Sequence, residues 1–410
     1  MSKNIAVIGA GPAGLMAAET LAGSGHSVIV YERMPSPARK LLMAGRGGLN
    51  LTHSEPMPAF LAHYGGDEGM RSRLADAIAA FAPDALISWA HGLGQETFTG
   101  SSGRIFPKAM KSSTLLRAWL RRLESQGVRL RTRHEWRGWC EDGRLRFVRA
   151  DGSEDRVAAD ATLLALGGAS WPRLGSTGDW LAVLAARGVA SAPFAPSNCG
   201  VTLAWSELFR TRFAGKPLKR IALACAGVQV RGEALVTATG LEGGAVYALS
   251  DPIRRALASS SPARLTMDLR PDLATADLVR KLSLPRQKQS ASTFLRKATG
   301  LPPVAIALLR EATGGALPIG AYALADLIKA VPLDVTGMAG IERAISTVGG
   351  VALDAIDDRF MLTSLPGVFV AGEMLDWDAP TGGYLLQACF ATGVAAAHGI
   401  EAWLAQPSPP

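Results

Sequence analysis

The chain has 410 residues, 48% of them hydrophobic, with 45 glycines, 24 prolines and a formal net charge of +8. That length allows two or three domains with a sizeable core, and no apolar run approaches the ~18 residues of a membrane span. The four cysteines, Cys140, Cys199, Cys225 and Cys389, form no C-x-x-C pair, which argues against a zinc site and against a dithiol–disulfide reductase. The N-terminus runs straight into a strand without a basic and apolar leader, so it reads as a cytoplasmic protein. The positive balance favours an anionic partner, a nucleotide or RNA.

Residues 3–8 form a short apolar β run. Residues 12–24 have helical spacing, with Leu15, Ala18 and Leu21 on one stripe. A second strand, Ser27 to Tyr31, ends at Glu32. Between strand and helix lies Gly9-Ala10-Gly11-Pro12-Ala13-Gly14, a G-x-G-x-x-G in the context that gives it meaning. Gly9 permits the tight turn, Gly11 lets the backbone approach a pyrophosphate, and Gly14 lets the helix pack on the strand. The helix opens at Pro12 and Ala13, and its N-terminus points free N–H groups at the diphosphate. Glu32 is placed to accept hydrogen bonds from ribose hydroxyls. Together these residues predict an α/β dinucleotide fold of the Rossmann type.

Pro35 to His53 is a Gly/Arg-rich loop too long for a connector. Helical patterns follow near 70–92 and 113–126, and strand runs near 128–133, 144–149 and 157–166. The last run ends at Gly167-Gly168, a turn expected close to the cofactor. From about 190 the pattern changes. A β-rich stretch runs to about 268, followed by a helical stretch carrying Lys281, Arg286, Lys288, Arg296 and Lys297. Such a basic stretch reads first as a solvated helix face; RNA contact is the sharper reading, without a recognised motif behind it. Strands return at 343–353 and 367–371, and a helix covers about 383–403. The expected organisation is a cofactor domain in two parts, 1–190 and 336–410, with a barrel-like β subdomain at 191–268 and a helical subdomain at 269–335.

The C-terminal part points to flavin. Pro366 to Glu373 is a turn, a short buried strand and a small-residue corner with an acid. FAD enzymes of this architecture set such a strand beside the ribityl chain, so Gly372 and Glu373 are assigned to the cofactor. Thr381, Gly382 and Gly383 can present backbone N–H groups to the N1–C2=O edge of a flavin, which gains negative charge on reduction. No second G-x-G-x-x-G follows, so a reducing NAD(P)H is expected to bind transiently, without a Rossmann domain of its own.

Several segments resemble one family, the BaiN/RdsA family of NAD(P)/FAD-dependent oxidoreductases. They are the fingerprint, Lys40 to His53, Gly103 to Pro107, Gly168 to Asp179, Gly349 to Val351, and Gly372 to Gln387. The resemblance implies a two-part domain for non-covalently bound FAD, with an inserted barrel-like domain and a helical domain. It also implies reduction of a conjugated C=C bond, oxidation of a small amine, or reduction of uridine in ribosomal RNA. The family's Gly-Arg-Cys-Asn-x-Thr-Asn run reads Gly-Gly-Leu49-Asn50-Leu-Thr52-His53 here, so a role for the cysteine thiol is lost. The family's Gly-Gly-Tyr-Asn reads Gly-Gly-Tyr384-Leu385.

Arg46 is expected to neutralise the pyrophosphate or orient an anionic substrate. Arg33, Lys40, Gly47 and Gly167 complete the cofactor set with Tyr384. The catalytic candidates are His53 as a proton donor, Asn50 toward flavin or substrate, and Tyr384 on the substrate side. No metal-ligand spacing occurs. The favoured reaction is NAD(P)H-driven hydride transfer through FAD to an activated C=C bond. An amine oxidase, a uridine-reducing RNA enzyme and a non-catalytic redox sensor are the alternatives.

Overall fold

The computed structural model describes residues 2–406. The chain divides into two compact units: residues up to 195 together with those from 346 onward, and Pro196–Ile345 between them.

The first unit is built on a five-stranded parallel sheet. Its order is Val368–Val370, Ala161–Leu164, β1 (Asn4–Ile8), β2 (Ser27–Glu32) and Arg129–Thr132. Ile5 lies opposite Ala161 on one side and Val28 on the other. The four residues of Ala161–Leu164 are all buried, as a parallel strand covered on both faces requires. Helix α1 (Pro12–Gly23) follows β1 and buries Leu15, Ala18 and Leu21 as the stripe predicts. It packs on the long final helix, Tyr384–Leu404. The approach is close because Gly393 has no side chain: a Cβ there would lie 2.4 Å from the Ala13 carbonyl oxygen.

Some boundaries differ from the sequence pattern for clear reasons. The helical pattern at 70–92 is two helices, Glu68–Ala80 and Pro83–Gly92. Pro83 lacks the N–H that would continue the first and starts the second instead. A strand at His134–Trp139 was not expected. Its register shifts between Trp136 and Trp139, around Gly138 at φ +92, and this irregularity hides the alternation. It forms an antiparallel meander with Leu145–Arg149 and Glu154–Val157.

The second unit contains a closed barrel in the order Val201–Leu203, Gly240–Glu242, Val228–Val236, Pro217–Cys225, Ala263–Asp268 and Val331–Met338. Ala263, Leu265 and Met267 alternate inward along one strand. The closing strand comes from beyond the helices Thr275–Leu282, Ala291–Thr299, Pro303–Ala312 and Ala321–Lys329. Barrel residues such as Leu265 and Val335 share one core with helix residues such as Leu278 and Leu308. Among the described residues no helix is long and apolar enough to cross a membrane.

Candidate cofactor site and its aromatic cluster

The glycine turn has the geometry its motif demands. Gly9 sits at φ +107, and a Cβ on it would lie 2.2 Å from the Ala165 carbonyl oxygen. A Cβ on Gly14 would lie 2.0 Å from the Gly9 oxygen, so α1 presses directly on the turn. Gly11 differs: a Cβ there would meet no protein atom within 4 Å. Protein packing therefore does not require glycine at this position, whereas close approach of a pyrophosphate does. Pro12 opens α1, and no side chain caps its N-terminus.

Glu32 ends β2 beside the same turn. Its carboxylate accepts the N–H groups of Ala10 at 3.1 Å and Met34 at 2.8 Å. Burial pushes its pKa up, and the two backbone hydrogen bonds oppose that shift. Arg33 is directed elsewhere: it donates to Thr177 at 2.8 Å and pairs with Glu135 at 3.0 Å. Gly47 faces open space. The side chain of Arg46 lies outside the described residues.

The C-terminal segment meets the turn through Gly372, where a Cβ would lie 2.9 Å from the Ala13 Cβ. Glu373 is next, but its two oxygens are engaged by protein groups. One accepts Lys40 Nζ at 2.7 Å and the other the Thr347 N–H at 3.0 Å. Lys40 also donates to Ser170 at 2.8 Å. Lys40 thus acts on Glu373 and fastens the first long loop to the C-terminal corner. A Cβ on Gly167 would lie 4.0 Å from the same carboxylate, and Trp180 Nε1 donates to the Gly167 carbonyl at 2.8 Å. Cys389 is half-buried, and desolvation with the Glu373 charge pushes its thiol up to about 12. Replacing Lys40 by Met should lower stability by about 1–3 kcal/mol, since a largely buried carboxylate loses its counter-ion. Urea unfolding of Lys40→Met tests this, and an unchanged midpoint would contradict it.

The loop 50–53 and the start of the final helix come together at Gly383. This residue has φ +101, and a Cβ would lie 2.5 Å from the Thr52 Cα. Gly382, at φ +141, precedes it, and Thr381 stands just before. Three buried acceptors on these segments have no protein partner: Asn50 Oδ1, Thr52 Oγ1 and Gln387 Oε1. Buried polar atoms of this kind need a partner. An isoalloxazine ring, with an N–H donor and carbonyl acceptors, supplies matching chemistry. These orphans, with the open face of Gly11, fit FAD.

Tyr384 begins the final helix inside a cluster of aromatic and ionisable side chains. Its hydroxyl donates to Glu55 Oε1 at 2.5 Å. Its ring lies 4.4 Å from that of His63, 4.9 Å from Phe60 and 5.6 Å from His53. Tyr64 donates its hydroxyl to the Tyr384 carbonyl at 2.8 Å and anchors the first helical turn. Burial, then the hydrogen bond to Glu55, hold the Tyr384 pKa above the ordinary phenol value. His53 is committed to backbone. Its Nδ1 accepts the Glu55 N–H at 3.3 Å, and its Nε2 pairs with the Ser102 carbonyl at 2.8 Å. With Nδ1 accepting from the Glu55 N–H, Nε2 is the ring nitrogen left to donate to the Ser102 carbonyl, and Nδ1 also lies 3.6 Å from the Glu55 carboxylate. Sequence reasoning singled out Tyr384 and His53; Glu55 and His63, which the fold brings beside Tyr384, it did not.

The profile of the HI0933-like protein Rossmann domain matches residues 3–399. A 3-dehydro-bile acid delta(4,6)-reductase of Clostridium scindens is 28% identical over 95% of this chain and 97% of its own. A ribosomal RNA dihydrouridine synthase of Haemophilus influenzae is 27% identical over 98% of each chain. Among solved structures, a 3-ketosteroid-delta4-(5alpha)-dehydrogenase of Rhodococcus jostii RHA1 superposes with a TM-score of 0.52 at 16% identity, covering 98% of this chain and 97% of that one. At that identity the likeness concerns fold alone. With the fingerprint geometry, the parallel sheet and the family match in agreement, the chain belongs to the HI0933-like Rossmann family and is an FAD-dependent oxidoreductase.

Proposed function

We propose that the protein is a cytoplasmic reductase that uses NAD(P)H to saturate a C=C bond conjugated with a carbonyl in a small molecule. The observation that carries this reading is the Tyr384 hydroxyl, a neutral proton donor held by Glu55 at the start of the final helix. Saturating such a bond needs a hydride at one carbon and a proton at the other, or at the carbonyl oxygen. Bound FAD supplies the hydride chemistry. Tyr384 supplies the proton as a positioned general acid.

The remaining residues bind and orient. Gly9, Gly11, Gly14 and the first turn of α1 at Pro12 and Ala13 hold the pyrophosphate, and Glu32 holds a ribose. Thr381, Gly382 and Gly383 face the ring edge, while Asn50 offers its unpartnered Oδ1 to flavin or substrate. His53 orients Tyr384 by stacking and holds the Glu55 backbone; its own proton is spent on Ser102. The names of the two curated relatives support the reaction class. One is the name of a delta(4,6)-reductase of a 3-dehydro-bile acid, the other of a dihydrouridine synthase acting on ribosomal RNA.

Anaerobic incubation with NADH or NADPH and a panel of cyclic enones tests the reading. One saturated ketone per nicotinamide consumed is expected. Nicotinamide consumption that requires oxygen and yields peroxide would refute it.

A further inference from the structure

Tyr384 is 5% exposed, so a proton it gives away has to be replaced through the protein. Glu55 touches it directly, and His63 touches Glu55. The His63 Nε2 lies 3.2 Å from Glu55 Oε1 and 3.4 Å from Oε2. The His63 side chain is 41% exposed, against 19% for Glu55. The three groups therefore form a line from solvent through an imidazole and a carboxylate to the buried phenol. Glu55 lies just past the strand Thr52–His53, and His63 just past the short helix Met57–Leu61.

The other groups around Tyr384 do not offer a second route. Both ring nitrogens of His53 are used by backbone. The Tyr64 hydroxyl is spent on the Tyr384 carbonyl. Arg104, on the strand paired with His53, bears on Tyr384 only as a positive charge that favours the phenolate.

We propose that His63 and Glu55 are the proton supply of Tyr384. The inference rests on the reading of Tyr384 as the proton donor. The Tyr384 O–H turns from Glu55 to the substrate and breaks as its proton passes over, leaving a phenolate. The Glu55 carboxylate then takes a proton from the Nε2 of protonated His63 and passes it to the phenolate. His63 is reprotonated from water. The net result is one proton moved from solvent to substrate, with no change in the oxidation state of any side chain. Glu55 thus has two roles: it orients the phenol before the reaction and reloads it afterwards.

Rapid-mixing turnover of the FAD-loaded His63→Gln variant tests the path, with Tyr384→Phe as a control. In His63→Gln the first turnover keeps the parent rate, because Tyr384 starts protonated. Later turnovers slow by ~10-fold or more, giving a burst, and added imidazole restores them. A second measurement needs no turnover. Ultraviolet titration of the phenol in Glu55→Gln, with Tyr384→Phe as the subtraction, is expected to show Tyr384 ionising at lower pH than in the parent. His63→Gln with parent steady-state rates while Tyr384→Phe is slow would overturn the relay alone. First and later turnovers slowed equally, without rescue, would make His63 structural and also overturn it. Parent rates in Tyr384→Phe would instead refute the reading on which the relay rests.

Discussion

Tyr384→Phe is expected to slow reduction of the C=C bond by ~10²- to 10⁴-fold, the usual worth of a positioned general acid. FAD content and the rate at which NAD(P)H reduces the flavin should stay as in the parent protein. The substitution removes one oxygen and keeps the ring, so the packing with Phe60 and His63 survives. The lost hydrogen bond to Glu55 should cost about 1 kcal/mol of stability. Flavin reduction and reoxidation followed separately by stopped flow distinguish the two halves. If both halves match the parent, Tyr384 is not the proton donor.

The second large effect concerns the glycine turn, where two neighbouring substitutions should fail in different ways. Gly9→Ala places a side chain at φ +107, 2.2 Å from the Ala165 oxygen. Backbone strain and the clash together should cost roughly 2–5 kcal/mol of stability in the apoprotein. Gly11 has φ −84 and ψ −177, an extended conformation open to any residue. Its added Cβ meets no protein atom. Gly11→Ala should therefore leave apoprotein stability within about 1 kcal/mol. It should weaken FAD binding by ~10- to 100-fold, because the methyl group stands where the pyrophosphate must approach. Urea unfolding of the apoproteins and titration with FAD check both statements. Equal loss of stability in the two variants would contradict the account.

The nucleotide half of the site was legible in the sequence because its chemistry is local. The turn Gly9 to Gly14 and the acid Glu32 lie on one β-α-β unit, so spacing alone brings them together. The start of the final helix was legible for the same reason: Thr381 to Gly383 is a run of small residues just before Tyr384. The barrel showed as alternation along strands such as Ala263–Asp268, but its closure by Val331–Met338, beyond four helices, has no local mark.

What was missed depends on distant residues meeting. Glu55 acquires its role from Tyr384, 329 positions away. Lys40 finds Glu373 across 333 positions, and this pairing gives the acid, expected to face a ribityl hydroxyl, a protein counter-ion. Arg33 is drawn to Glu135 on a strand that an irregularity conceals. One local cue was available and unused: Pro83 marks the break in the helical pattern at 70–92. His53 is the instructive case. The sequence offered it as a proton donor, whereas its commitment to the Ser102 carbonyl and the Glu55 N–H appears only in three dimensions.

The most direct test of the central claim is a single turnover without nicotinamide. The FAD-loaded protein is photoreduced anaerobically and mixed with a cyclic enone. The account predicts that the oxidised flavin spectrum returns, that one saturated ketone forms per flavin, and that Tyr384→Phe slows both together. A flavin that stays reduced with every enone and reoxidises only with oxygen would contradict it.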